Sequence, residues 1–119
     1  MIRISHVQAL IVATVASGIA LAPHVHAQGK PDATHGKQAF EKATCVFCHA
    51  GGGNSVKPKR PLKGAAFVQR FPDDKSLENF IRHGTKDGGM PAFSVKQVSD
   101  ADLKDIIAYI RTLTPKAGK

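Results

Sequence analysis

Between Thr34 and Thr44 the apolar and small positions fall at Gly36, Ala39, Phe40 and Ala43, spaced i, i+3, i+4 and i+7. That spacing lines one face of an α-helix, and Asp32 and Thr34 ahead of it are residue types that cap helix N-termini. A short helix over residues 34–44 is therefore expected. A second is expected over Ser76–His83, with Leu77, Phe80 and Ile81 on one face, Asp73, Asp74 and Ser76 as start signals and Gly84 as terminator. The clearest follows Ser99, whose spacing to Asp102 suits a capping box. It carries Leu103, Ile106, Ile107, Ile110 and Leu113 on one face before Pro115 ends it.

Residues 51–54 and 57–63 lack periodicity and carry Gly and Pro, which predicts a loop. No alternating run after residue 27 is long enough for a strand, so the fold class expected is all-α, with three to four short helices and long loops. No internal repeat is present.

The first residues change the picture of what the folded chain contains. Arg3, the uncharged run Ala9–Ala22, Pro23 and the small residues Val25 and Ala27 read as a secretory signal peptide cleaved after Ala27. The apolar run is 14 residues, short of the roughly 20 that span a bilayer, so stable membrane insertion is not expected. Residues 28–119 then form a single domain of 92 residues, exported to the periplasm. The full chain carries 17 Lys and Arg against 9 Asp and Glu, a net charge of +8, and loss of Arg3 with the signal lowers it to +7. In an exported protein such a balance points to acidic protein partners or membrane lipid ahead of nucleic acid.

Two cysteines in an oxidising compartment ordinarily suggest a disulfide, but their spacing points elsewhere. Cys45-Val46-Phe47-Cys48-His49 is the C-x-x-C-H pattern of covalent haem attachment. Two thiols at this separation can add to the two vinyl groups of one haem while the adjacent His49 reaches the iron. A thioredoxin-like pair would need a βαβ pattern and a zinc site a second Cys/His pair at the right spacing, and neither is present. The other ring nitrogen of a ligating histidine needs an acceptor, for which the Pro61 carbonyl is the candidate. The two propionates of one haem c would lower the net charge to about +5.

A second strong-field ligand completes an electron-transfer haem, and a thioether raises its potential. Met90 is the one methionine after residue 27, in Gly88-Gly89-Met90-Pro91-Ala92-Phe93, a loop by its glycines and proline. Phe93 and Leu62 are the expected haem contacts. His35, early in the first helix, and His83, at a helix end, are ordinary surface positions and weaker candidates for iron.

With Cys45–His49, the Gly-Met-Pro loop and the terminal amphipathic helix in this order, residues 34–113 resemble a class I cytochrome c. The likeness is greatest to the small bacterial carriers of the c551, c5 and c6 kinds. The resemblance implies that the first and last helices cross in close contact, with Gly36 and Phe40 against Tyr109. It also implies the Pro61 carbonyl as partner of His49. Phe40 stands five residues before Cys45, and 41 positions separate His49 from Met90, both as in the short bacterial forms. The stretch Lys57–Lys63 and the segment Val95–Val98 match no one subgroup.

The function so implied is that of a periplasmic carrier, not an enzyme: a monomer passing single electrons between larger redox proteins. Lys57, Lys59, Arg60, Lys63, Lys86 and Lys96 are candidates to ring the haem edge and steer acidic partners. Two rivals stand beside it. One is a haem subunit permanently attached to a dehydrogenase complex; the other is an open-site haem protein acting on peroxide or a gas if Met90 does not stay bound.

Overall fold

The computed structural model describes residues 29–115. The expected signal segment, residues 1–27 with its cleavage point after Ala27, lies outside the described residues. Among the described residues there are five α-helices and no strand: α1 Ala33–Lys42, α2 Val46–His49, α3 Ala65–Arg70, α4 Asp74–His83 and α5 Asp100–Thr112, with a 3-10 turn at Ala50–Gly52 after α2. The fold is all-α as expected, with more helices than the three or four anticipated.

Each of the three long helices starts where a side chain satisfies an orphan backbone N–H. The Asp32 carboxylate accepts from the N–H of Thr34 at 2.7 Å, Asp73 accepts from Ser76 at 2.7 Å, and the Ser99 hydroxyl accepts from Asp102 at 3.1 Å. α1 ends at Lys42, the chain turning away through Ala43 and Thr44 (φ 65°), and α4 ends at His83 with Gly84 (φ 66°) as its C-cap. α4 begins two residues before its expected start because Asp73, not a later residue, is the cap.

α1 and α5 cross to form the frame. Gly36 makes this possible: a Cβ there would lie 1.8 Å from the Asp105 carbonyl oxygen of α5. One turn on, Phe40 meets Tyr109 edge to face, with ring centroids 5.4 Å apart. Leu103, Ile106, Ile107 and Ile110 of α5 are buried, as are Ala39 and Phe40 of α1 and Leu77 and Ile81 of α4. Burying each large apolar side chain contributes about 1.5–3 kcal/mol.

α3 has no counterpart in the sequence reading, yet its Phe67 is 1% exposed and one of the two most deeply buried large side chains. Phe67, Phe71 and Phe80 form a chain of tilted rings with centroids 5.3 and 5.0 Å apart. These rings bring the middle of the chain onto the frame and leave a cleft between the loop after α2 and the loop after α4. No helix among the described residues is long and apolar enough to cross a membrane.

Candidate functional site

The thiols and the imidazole converge through local helical geometry. Thr44 reverses the chain after α1, and the N–H of Cys45 reaches back to the Phe40 carbonyl at 3.1 Å. The N–H of His49 then donates to the Cys45 carbonyl at 2.9 Å, closing one turn. Residues i, i+3 and i+4 of such a turn are surface neighbours, so Cys45, Cys48 and His49 lie together. Both cysteines are free thiols. Cys48 is exposed and Cys45 half-buried, and burial pushes the Cys45 thiol above its ordinary pKa.

His49 is 9% exposed. Its Nδ1–H donates to the carbonyl of Gly53 at 2.9 Å, which corrects the expectation that Pro61 supplies this acceptor. The reason is the 3-10 turn: with Gly51 and Gly52 at φ 58° and 76°, and the Gly53 N–H bonded to the Ala50 carbonyl, the chain folds back beneath the ring. The Pro61–Leu62 segment passes nearby, its Leu62 N–H donating to the Gly52 carbonyl at 2.8 Å. With Nδ1 engaged, Nε2 is the ring nitrogen left to bind a metal.

Met90 sits on a loop closed upon itself. The Met90 carbonyl accepts from the Thr85 N–H at 3.0 Å, and the Met90 N–H donates to the Thr85 hydroxyl at 2.9 Å. Asp87 accepts from the Gly89 N–H at 3.1 Å and pairs with the Lys57 ammonium of the facing loop. The Lys57 bond, reinforced by Thr85 and Gly89, holds the Asp87 carboxyl well below the usual carboxylate range. Gly84 is required here, because a Cβ at that position would fall 2.5 Å from the Met90 carbonyl oxygen. Arg82 ties down the far end of the loop: its guanidinium donates to the carbonyls of Phe93 (3.1 Å) and Val98 (2.7 Å) and pairs with Asp100 at 2.7 Å.

These parts face two adjoining cavities. The outer one encloses about 640 Å³ of atom-free space, its open mouth included, within the roughly 300–1,000 Å³ range of small-molecule and cofactor sites. Its walls include Cys48, His49, Leu62 and Met90. The inner one is wholly apolar at its surface and adds Cys45, Phe93 and the core rings Phe40, Phe67 and Phe71 to His49, Leu62 and Met90. A histidine and a methionine on the walls of one largely apolar cleft, with two free thiols beside them, match the donor set of a covalent, six-coordinate haem. The residues therefore fit the group.

Of the residues singled out by sequence, Cys45, Cys48, His49, Leu62, Met90 and Phe93 line this space, and Pro61 does not. His35 instead bonds Asp105 at 2.7 Å, and His83 bonds its own helix at the Asn79 carbonyl, so both stand away from the cleft. Among the cations proposed to ring the opening, Lys57 and Arg60 line it. Phe80 lines it from the apolar face expected of the second helix, whereas Phe71, Thr85 and Arg70 also line it and were missed. Phe71 carried a weak signal as a large apolar residue just ahead of a predicted helix start; Thr85 and Arg70 carried none.

The comparisons agree with this geometry. The family described as cytochrome c oxidase, cbb3-type, subunit III matches residues 31–110. Cytochrome c6 of Cyanidium caldarium is 30% identical over 108 residues, covering 90% of this chain and 94% of that protein. Cytochrome c6 of a Picosynechococcus species is 41% identical over 85 residues, covering 66% and 71%. The cbb3-type oxidase subunit CcoP of Helicobacter pylori is 33% identical over 82 residues, which are 67% of this chain and 27% of that protein. The solved cytochrome c6 of the diatom Phaeodactylum tricornutum superposes with a TM-score of 0.58 at 31% identity, over 68% of this chain and 92% of that one. A helical frame closed at Gly36, a thiol–thiol–imidazole turn and a facing methionine loop, in a chain with these relatives, establish that it belongs to the class I c-type cytochromes, electron carriers built on an iron haem rather than enzymes.

Proposed function

We propose that this chain is a periplasmic carrier of single electrons, with one haem bound covalently through Cys45 and Cys48 and ligated axially by His49 and Met90. The observation that supports this most directly is the placement of His49 and Met90 on the walls of one cleft, with the two thiols beside them. Bound haem supplies reversible one-electron chemistry at iron. The chain's own residues do the rest: the Gly53 carbonyl orients the imidazole, the Thr85 contacts fix the methionine backbone, and the phenylalanine rings exclude water. Two retained protein ligands keep reorganisation small on each transfer. Leu62 and Phe93, on the cleft walls, would pack against the haem, with Pro61 preceding Leu62 just outside the cleft. Lys57, Lys59, Arg60, Lys63, Lys86 and Lys96 favour brief, salt-sensitive encounters with acidic redox partners. Export with cleavage after Ala27 delivers the chain to the compartment where haem is attached, and the mature form is a monomer.

Optical spectra of the purified protein test this reading. The reduced form is expected to give c-type haem bands and the oxidised form the weak far-red band of sulfur bound to ferric iron; Met90→Ala abolishes the latter and lowers the potential. Haem bands without the far-red band in the wild type would transfer the assignment to an open-site protein.

The match to cbb3-type subunit III supports a second reading, a haem domain serving within a larger complex. Gel filtration after mild extraction separates the two: a free monomer supports the carrier, and co-elution with an integral membrane complex supports the subunit.

A further inference from the structure

Two loops wall the outer cavity on opposite sides. Asn54, Val56 and Lys57 follow the imidazole turn, and Thr85, Gly89 and Met90 belong to the methionine loop. They come from different stretches of chain and meet at two points. A Cβ built at Gly89 would lie 3.6 Å from Val56 Cγ1, an ordinary contact distance, and the Lys57 ammonium pairs with Asp87, 30 residues away in sequence. Other ion pairs do different work: Lys37 meets Glu41 within α1, and Arg82 and Arg111 reach helix starts.

Each partner of the Lys57–Asp87 pair is fixed on its own side. The Lys57 N–H donates to the Asn54 side chain at 2.8 Å, and the Lys57 carbonyl accepts from the Arg60 N–H at 2.8 Å. Asn54 follows Gly53, whose carbonyl holds the His49 Nδ1–H. On the other side Asp87 accepts from the Gly89 N–H at 3.1 Å and from the Thr85 hydroxyl, whose oxygen in turn accepts from the Met90 N–H at 2.9 Å. The ion pair thus closes a polar path from the imidazole's acceptor to the methionine backbone, running around the rim of the cleft.

Resting on the haem reading above, we infer that Lys57 and Asp87 are positioning residues, a strap across the cleft that holds Met90 against the iron and resists its displacement by outside ligands. They act through Thr85 and Gly89, not on the sulfur. Both side chains are substantially exposed, 40% and 56%, so the pair contributes modestly to stability and is screened by salt. Its leverage is local. Gly84 and Arg82 fix the two ends of the methionine segment, while Gly88 and Gly89 give its middle more backbone freedom than other residues would. The strap removes that freedom where it matters, next to the ligand.

Imidazole titration of the ferric holoprotein at about pH 8, where imidazole is mainly neutral, tests this. Loss of the far-red band reads the exchange of sulfur for nitrogen at iron, with no electron transferred. The variants are Asp87→Asn, Lys57→Gln and their double, with Lys75→Gln as the control for net charge. Asparagine keeps an oxygen for the Gly89 N–H and the Thr85 hydroxyl and loses only the charge. At low salt each single variant is expected to bind imidazole about three- to fivefold more tightly than wild type, the range an exposed ion pair supports. The double variant gains no more than either single, and Lys75→Gln matches wild type. In about 0.5 M salt the wild type approaches the strap variants, whose own affinity stays level. Single variants that bind like wild type at low salt overturn the inference. So does a double variant whose gain is the product of the two singles, because the side chains then act separately, and so does an equal gain in Lys75→Gln, which assigns the effect to net charge. Those outcomes leave the haem reading intact; ferric wild type without a far-red band overturns the Met90 reading itself.

Discussion

Replacing Gly36 by alanine adds a single methyl group at the point where α1 crosses α5. The new Cβ would lie 1.8 Å from the Asp105 carbonyl oxygen, 2.4 Å from its carbon and 3.0 Å from the Ile106 nitrogen. All three are backbone atoms inside α5, so no side chain can rotate away. Ordinary contact begins near 3.4 Å, so the helices must part by about 1.6 Å along this line. Overpacking costs about 1–3 kcal/mol, and the upper end applies to a backbone clash. Parting the helices also loosens the Phe40–Tyr109 contact, worth about 1 kcal/mol beyond its buried area. Against these, alanine stabilises a helix by about 1 kcal/mol relative to glycine. The net expectation is a loss of about 3 kcal/mol, a large share of the roughly 5–15 kcal/mol that holds a domain of this kind. Urea unfolding of the holoprotein, followed by circular dichroism, reads this as a midpoint lowered by about 1.5 M for a slope near 2 kcal/mol/M. Gly64→Ala is the control: it has open space but φ 88°, so it should cost only about 1 kcal/mol of backbone strain. A Gly36→Ala protein as stable as the wild type would refute the close crossing.

Arg82→Gln removes three hydrogen bonds from a side chain that is 15% exposed. The carbonyls of Phe93 and Val98 lose a charged donor, which should cost about 2–4 kcal/mol in urea unfolding and speed hydrogen exchange in residues 93–98. Asp87→Asn breaks the bridge from the methionine loop to Lys57. Because the folded carboxyl titrates below its unfolded value, its stabilisation is present above about pH 4 and is lost as the pH falls through the lower folded value. Thermal melts from pH 2 to 6 should therefore show a weaker acid dependence in the variant. His35 has the opposite sign. Its hydrogen bond to Asp105 raises its pKa, so its stabilisation is full below about pH 6.5 and declines as the pH rises through the higher folded value. Melts from pH 5 to 9 should show that decline in the wild type and a flatter profile in His35→Gln.

The parts legible in the sequence are those governed by local rules. α1, α4 and α5 announce themselves through period and caps, and Asp32, Asp73 and Ser99 do the capping that their types suggested. The Cys45–His49 motif needs one helical turn to assemble, so its residues could be placed before any tertiary contact was known. Leu62, Met90 and Phe93 reach the cleft from loops whose course depends on contacts distant in sequence; what made Met90 legible was its being the one methionine after residue 27, in a loop marked by Gly and Pro, and not periodicity. α3 was illegible because six residues carry less than two turns of pattern; its position follows from Phe67 and Phe71 packing on α5, a tertiary effect. The Gly53 acceptor was missed for a related reason: a turn built on two glycines of positive φ leaves no trace in apolar spacing.

The two buried-side arginines that are paired show how the frame and the loops divide the work. Arg111 of α5 reaches the Phe71 carbonyl at 2.8 Å and Asp74, fixing the entry to α4, while Arg82 of α4 fixes the exit of the methionine loop onto the start of α5. Each crosses from one long helix to the backbone of a loop or a helix terminus, and each spends its charge on a carboxylate at a helix start, where the macrodipole already favours a negative group. The methionine segment is therefore held at both ends, by Gly84 packed under Met90 and by Arg82 beyond Phe93, independently of anything bound in the cleft. A loop so restrained presents its sulfur with little freedom left to lose on ligation, which favours a ligand that stays on in both oxidation states. Loosening either end while leaving Met90 in place should thus weaken the far-red band before it weakens the fold, and an Arg82 variant that unfolds earlier with its far-red band unchanged at low denaturant would separate the two roles.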